Sequence, residues 1–117
     1  MEAEKKVKKY YQALDCPIVS TIDAIGGKWK PVLIWLLLSE KKLRFGEISK
    51  LMPGIALKVL SRSLKELEVD GIVTRTVYPE VPPRVEYALS AKGESLREIM
   101  DLLSVWSREN LMSKQLS

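Results

Sequence analysis

From Leu57 to Leu67 the apolar positions recur at helical spacing. Leu57, Leu60, Leu64 and Leu67 fall on one side of a helical wheel, while Lys58, Arg62 and Lys65 fall on nearly the opposite side, with Ser61 at their edge. This helix is predicted over Ala56 to Asp70, with Gly71 in the position of a C-terminal cap. Before it, Leu43-Arg44-Phe45 reads as a brief extended piece. Phe45 to Leu51 reads as a short helix with Phe45, Ile48, Leu51 and Met52 inward, and Pro53-Gly54 as a turn. After it, Ile72 to Tyr78 is rich in β-branched residues and predicts a strand. Pro79-Glu80-Val81-Pro82-Pro83 breaks that strand. Arg84 to Leu89 predicts a second one, with Val85, Tyr87 and Leu89 alternating against Arg84, Glu86 and Ala88.

The flanks are helical in pattern. Glu2 to Leu14 carries Val7, Tyr10, Tyr11 and Leu14 at helical spacing among lysines, and Asp15-Cys16-Pro17 ends it. A second helix is expected from Ile18 to Ile25, closed by Gly26-Gly27. Lys28 to Leu38 is apolar on nearly all sides (Trp29, Val32, Leu33, Trp35, Leu36, Leu37) and predicts a buried central helix, with Pro31 tolerated only near its start. Ser90 is placed to cap the final helix. There Leu96, Ile99, Leu103 and Trp106 form a stripe suited to helix–helix packing, widened by Met100, Leu102 and Val105. No internal repeat or linker divides the chain, so 1–117 is expected to be a single domain, mainly α with a small β-hairpin.

Strand, helix, turn, helix, strand, proline-rich tip, strand is the order of a winged helix-turn-helix. A helix anchored by one face and basic on the other suits the major groove of DNA, where Lys and Arg reach guanine acceptors or phosphates. The plainer role for the same lysines and arginines is a solvated face. The hairpin tip would be the wing, with Arg84 placed to reach a phosphate or the minor groove, or to serve as a solvated arginine on a rigid turn. Lys50 and Lys92 are further candidates for phosphate contact.

Composition adjusts this picture only slightly. The net charge of +4 and pI near 9.2 suit an anionic partner without specifying one. Histidine is absent, which removes Ser-His-Asp and Cys-His catalysis and His-containing zinc sites, and no Walker or Rossmann loop is present. No enzyme, metal or cofactor is expected. No apolar run approaches the ~20 residues that span a bilayer, and the charged N-terminus lacks an apolar signal core, so a cytoplasmic location is expected.

Longer motifs carry a resemblance. Cys16-Pro17, Ile25-Gly26-Gly27-Lys28-Trp29, Arg44-Phe45-Gly46-Glu47-Ile48, Leu51-Met52-Pro53-Gly54-Ile55, Leu64-Lys65-Glu66-Leu67-Glu68, Asp70-Gly71 and the run Val77 to Tyr87 resemble the HxlR family. These are small winged-helix transcription regulators related in architecture to MarR proteins. The resemblance implies a homodimer on double-stranded DNA with a palindromic operator, more often a repressor. Residues 1–15 and 91–112 would supply the dimerisation helices (Val7, Tyr10, Tyr11, Leu14, Leu96, Ile99, Leu103, Trp106), and 43–89 the helix-turn-helix and wing. Family members often carry Ser-Gln where this chain has Ala56-Leu57. Base readout is therefore expected to fall on Lys58, Ser61, Arg62 and Lys65, with Leu57 toward thymine methyls. The alternative is a winged helix used for protein–protein contact.

Cys16 fits two roles. At a helix start the partial positive charge favours the reactive thiolate, and in the resembling family a cysteine here serves some members as a sensor of oxidants or electrophiles. The same residue suits a small buried hydrophobe. Trp29, Trp35 and Trp106 are expected in the core and the dimer interface, with a small-molecule effector pocket between the helices as the other use.

Overall fold

The computed structural model describes residues 16–112. Val7, Tyr10, Tyr11 and Leu14, and the helix expected around them, lie outside the described residues. The chain runs α1 (Pro17–Ile25), α2 (Lys30–Glu40), β1 (Lys42–Arg44), α3 (Phe45–Leu51), α4 (Leu57–Val69), β2 (Val73–Tyr78), β3 (Arg84–Leu89), α5 (Ala91–Glu94) and α6 (Arg97–Ser107), with a π-helical turn over Arg108–Met112.

Local chemistry explains the boundaries. Cys16 is the N-cap of α1 and Pro17 opens it, where a missing N–H costs no hydrogen bond. Pro31 lies in the first turn of α2 for the same reason. Arg44 caps α3, and its backbone N–H donates to Glu47 Oε1 at 2.8 Å. Helix α4 ends in a Schellman motif. The Ile72 N–H donates to the Leu67 carbonyl at 2.9 Å and the Gly71 N–H to the Glu68 carbonyl at 3.0 Å, with Gly71 at φ +75°.

The sheet is three-stranded and antiparallel, in the order β1-β3-β2. Leu43 faces Tyr87 across one ladder and Arg75 faces Tyr87 across the other. Helix α2 crosses the middle of the core. Its Leu33, Ile34 and Leu37 are fully buried against Leu60, Leu64 and Leu67 of α4, Ile48 of α3, Ile72 and Val73. This packing holds α4 by one face and presents the other.

Several expectations need correction. Helix α2 is not covered all round, since Val32 and Trp35 are exposed. Leu51 was expected inward but is exposed at the end of α3, and Leu57, which shares the period of the buried leucines, is exposed at the start of α4. Every residue of β3 is half-buried, so its alternation does not separate a wet face from a dry one.

The final helix is also broken, into α5 and α6. The Ser95 hydroxyl donates to the Lys92 carbonyl, the group that an unbroken α-helix would pair with the Leu96 N–H. That N–H turns to the Gly93 carbonyl instead, at 3.0 Å. Leu96 consequently packs against the core rather than joining the stripe of Ile99, Leu103 and Trp106.

Candidate nucleic-acid interface

Helix α3, the Pro53-Gly54 turn and α4 form the helix-turn-helix. The turn is tightened by the Ile55 N–H on the Met52 carbonyl at 3.3 Å. Ala56 occupies the N-cap of α4 in an extended conformation and supplies no side-chain cap. The first N–H groups of α4 therefore donate to no side chain at the helix start.

Lys58, Ser61, Arg62 and Lys65 are all exposed, on the side of α4 opposite Leu60, Leu64 and Leu67. The structure brings these four together. It also divides them into a crest and two flanks.

Lys58 lies on the crest and forms no ion pair among the described residues. Toward α2, Arg62 Nε stands 3.8 Å from Glu66, whose other carboxylate oxygen is 2.6 Å from Lys30 Nζ. A hydrogen bond from Lys30 and then the charge of Lys30 hold the Glu66 carboxyl below the usual carboxylate range; burial opposes them, and the charge of Arg62 helps least. Toward the sheet, Lys65 Nζ lies 3.7 Å from Glu68. Here Ser61, Lys65 and Glu68 share a pocket with Arg75 of β2 and Tyr87 of β3.

Arg75 was absent from the sequence-based candidates. A single arginine in a β-branched run is unremarkable until the strand is docked. The available signal was its parity, since Arg75 and Val77 share one face of β2 and Thr74 and Thr76 the other.

The wing is β2, β3 and the 79–83 tip, and its Val81-Pro82 peptide is cis. Arg84 is less free than expected. Its guanidinium stacks on the Tyr78 ring at 4.1 Å and pairs with Glu80 at 3.3 Å and Glu86 at 3.4 Å. Glu80 lies across the turn, so these contacts pin the two strands beside the tip and answer the arginine's charge within the hairpin.

Lys92 is also engaged, its ammonium donating to the Asp70 carbonyl at 2.8 Å at the C-terminal end of α4. Lys50 is exposed in the last turn of α3. Cys16 is half-buried at the start of α1, distant in sequence from the α4 face. Trp29 packs on the core with Lys28 over its ring at 4.9 Å, whereas Trp35 and Trp106 are exposed. No helix of the described residues is long and apolar enough to cross a membrane.

A helix-turn-helix followed by a two-stranded wing, with α4 buried on one side and basic on the other, defines a winged-helix transcriptional regulator. Residues 24–115 match the HxlR-like helix-turn-helix family, and the chain belongs to it. It is 44% identical over 95 residues to the putative regulatory protein MalR of Fusobacterium mortiferum, covering 81% of this chain and 90% of that protein.

Among solved structures it is similar to the redox regulator HypR. The reduced form is 40% identical with a TM-score of 0.78, covering 86% of this chain and 99% of that one. The oxidized form is 43% identical with a TM-score of 0.75, covering 81% and 97%. Diamide-treated YodB of Bacillus subtilis is 35% identical with a TM-score of 0.69, covering 83% and 96%. The family is one of transcriptional regulators and not of enzymes.

Proposed function

We propose that the chain is a sequence-specific DNA-binding repressor that acts in the cytoplasm as a homodimer on a palindromic operator. The observation that carries this is the two-sided character of α4, with Leu60, Leu64 and Leu67 locked into the core and Lys58, Ser61, Arg62 and Lys65 turned to solvent. Inserted in the major groove, these four read base edges and grip phosphates. Lys50 is a peripheral phosphate contact. Arg84 and Lys92 contribute by holding the wing and the end of α4 in place, and reach DNA only by leaving their present partners.

The exposed apolar face of α6 (Ile99, Leu102, Leu103, Val105, Trp106) supports dimerisation, and the helical spacing of Val7, Tyr10, Tyr11 and Leu14 in the sequence supports a part for them in it. A dimer sets its two α4 helices into successive major grooves, ~34 Å apart. Cys16 is the proposed oxidant sensor. It is partly exposed at a helix start, and the similarity to a redox regulator solved in both oxidized and reduced forms supports the role.

The test is a gel-shift titration on the DNA upstream of the chain's own reading frame, across a range of salt. Arg62→Ala and Lys65→Ala should each weaken binding with the melting curve unchanged, and wild-type affinity should fall steeply with salt. Unchanged affinity in both variants would sink this face as the contact surface. Equal release of wild type and Cys16→Ser by mild oxidant would remove the cysteine from the mechanism.

A further inference from the structure

We propose that the pocket between α4 and the sheet seats one backbone phosphate of the bound duplex, with Arg75 as its main contact and Glu68 as a built-in brake on affinity. The proposal rests on the DNA-binding function above and adds a contact from outside the helix-turn-helix.

The pocket, about 270 Å³, is formed by Ser61, Lys65 and Glu68 of α4, Arg75 of β2 and Tyr87 of β3. Arg75 and Tyr87 are cross-strand partners and so lie on one face of the sheet. A phosphodiester only accepts hydrogen bonds, and four of these five residues offer donors: a guanidinium fork, an ammonium and two hydroxyls. A helix lying in a major groove has the groove's phosphate walls along its flanks, and this pocket occupies the sheet-side flank beside the Lys58 crest.

The cations in and beside this pocket are not equal. Arg62 stands near Glu66 and Lys65 near Glu68, while Arg75 forms no ion pair among the described residues. Its fork is open to a bidentate phosphate contact.

Glu68 is the one acid in the pocket. Its carboxylate is 3.7 Å from Lys65 Nζ, and its side chain is 31% exposed, so it meets any arriving phosphate with like charge. It draws on the same ammonium the phosphate would use. Removing Arg75 should therefore weaken binding, and removing the charge of Glu68 should strengthen it. Because a phosphate carries no base identity, both effects should be the same on every sequence.

The experiment measures binding of a short duplex of arbitrary sequence by fluorescence anisotropy across a salt series. It compares wild type, Arg75→Gln, Arg75→Lys and Glu68→Gln, with Arg108→Gln in the π-helical turn and Asp101→Asn on α6 as charge-matched controls. Arg75→Gln should lose roughly tenfold in affinity per head at low salt. It should also flatten the log–log salt slope by about 0.9 per head. Arg75→Lys should keep the slope and lose part of the affinity, which separates charge from the fork and guards against a folding defect. Glu68→Gln should tighten binding several-fold, and the controls should move neither quantity.

Arg75→Gln with a wild-type slope, or Glu68→Gln with unchanged or weaker binding, would overturn the proposal while duplex binding by the wild type upholds the wider function. A wild type that ignores duplex DNA would overturn both. Potassium phosphate should displace the duplex no better than chloride at equal ionic strength; stronger displacement would make this a free-anion site instead.

Discussion

Lys30 Nζ lies 2.6 Å from a carboxylate oxygen of Glu66, joining the first turn of α2 to the outer flank of α4. The lysine side chain is 13% exposed and the glutamate 47%, so the partnership is closed on the protein side and open on the solvent side. Arg62 reaches the other carboxylate oxygen only at 3.8 Å. The acid on the α2 flank of the basic face is thus answered largely from within the fold, and Arg62 remains available outward.

The lowered protonation point of Glu66 makes a pH prediction. The folded chain holds this proton less tightly than the unfolded chain, so the unfolded state binds more protons and stability rises with pH across the transition. The contribution is whole above the ordinary carboxylate pKa of about 4.3. It is lost as pH falls through the lower folded value. Urea midpoints should show wild type above Glu66→Gln near neutrality, with the gap closing as pH falls below the ordinary carboxylate range. A gap that stays constant across that range would remove the ion pair as its source.

Much of the fold was legible because punctuation in the chain coincides with real boundaries. Pro17, Pro31, Pro53-Gly54, Gly71 and the 79–83 prolines each stand where an element starts, turns or stops. The basic face of α4 was legible because a helix wheel needs no tertiary information. The rest depended on packing between layers. Leu57 has the period of the buried leucines but stands at the first position of α4 and is exposed. Arg84 looked free because the return of Glu80 across the turn is a property of the closed hairpin. Arg75 and Lys30 acquire their roles only when β2 and α2 are set beside α4.

Two glycines are expected to carry stability for different reasons. Gly71 sits at φ +75°, and a Cβ there would meet only the Lys92 side chain at an ordinary van der Waals distance of 3.9 Å, so Gly71→Ala should cost only the backbone penalty, about 1–2 kcal/mol. Gly93 has no such dihedral, but a Cβ there would run into the Ile72 carbonyl and the Leu89 side chain. Gly93→Ala should force the start of α5 away from the sheet and cost about 1–3 kcal/mol. Chemical denaturation of both variants separates the two causes. Restoration of Gly71→Ala by asparagine at the same position, with no such rescue at Gly93, would match the assignment.

Lys41 ends α2 at φ 66°, ψ −59°, the dihedrals of a strained γ-turn, between the helix and β1. Lys41→Gly should relieve that strain and raise stability by about 0.5–1 kcal/mol despite the added freedom of the unfolded chain. A fall in the urea midpoint would show that the lysine side chain contributes more than its backbone costs.

The exposed face of α6 leads to a prediction about assembly. Ile99, Leu103 and Trp106 are about half exposed, and Leu102 and Val105 stand beside them. Trp106 alone is 56% exposed, and a contiguous apolar face of this kind on a transcriptional regulator calls for a partner. Leu96 does not belong to the face, being packed on the core. Leu103→Asp and Trp106→Asp should therefore shift sedimentation from dimer toward monomer while leaving the circular-dichroism melt of the monomer intact, whereas Leu96→Asp should unfold the chain. DNA affinity should fall in the first two variants although neither residue lies near α4, because the second head no longer arrives with the first. Wild type that sediments as a monomer at micromolar concentration would remove dimerisation through this helix.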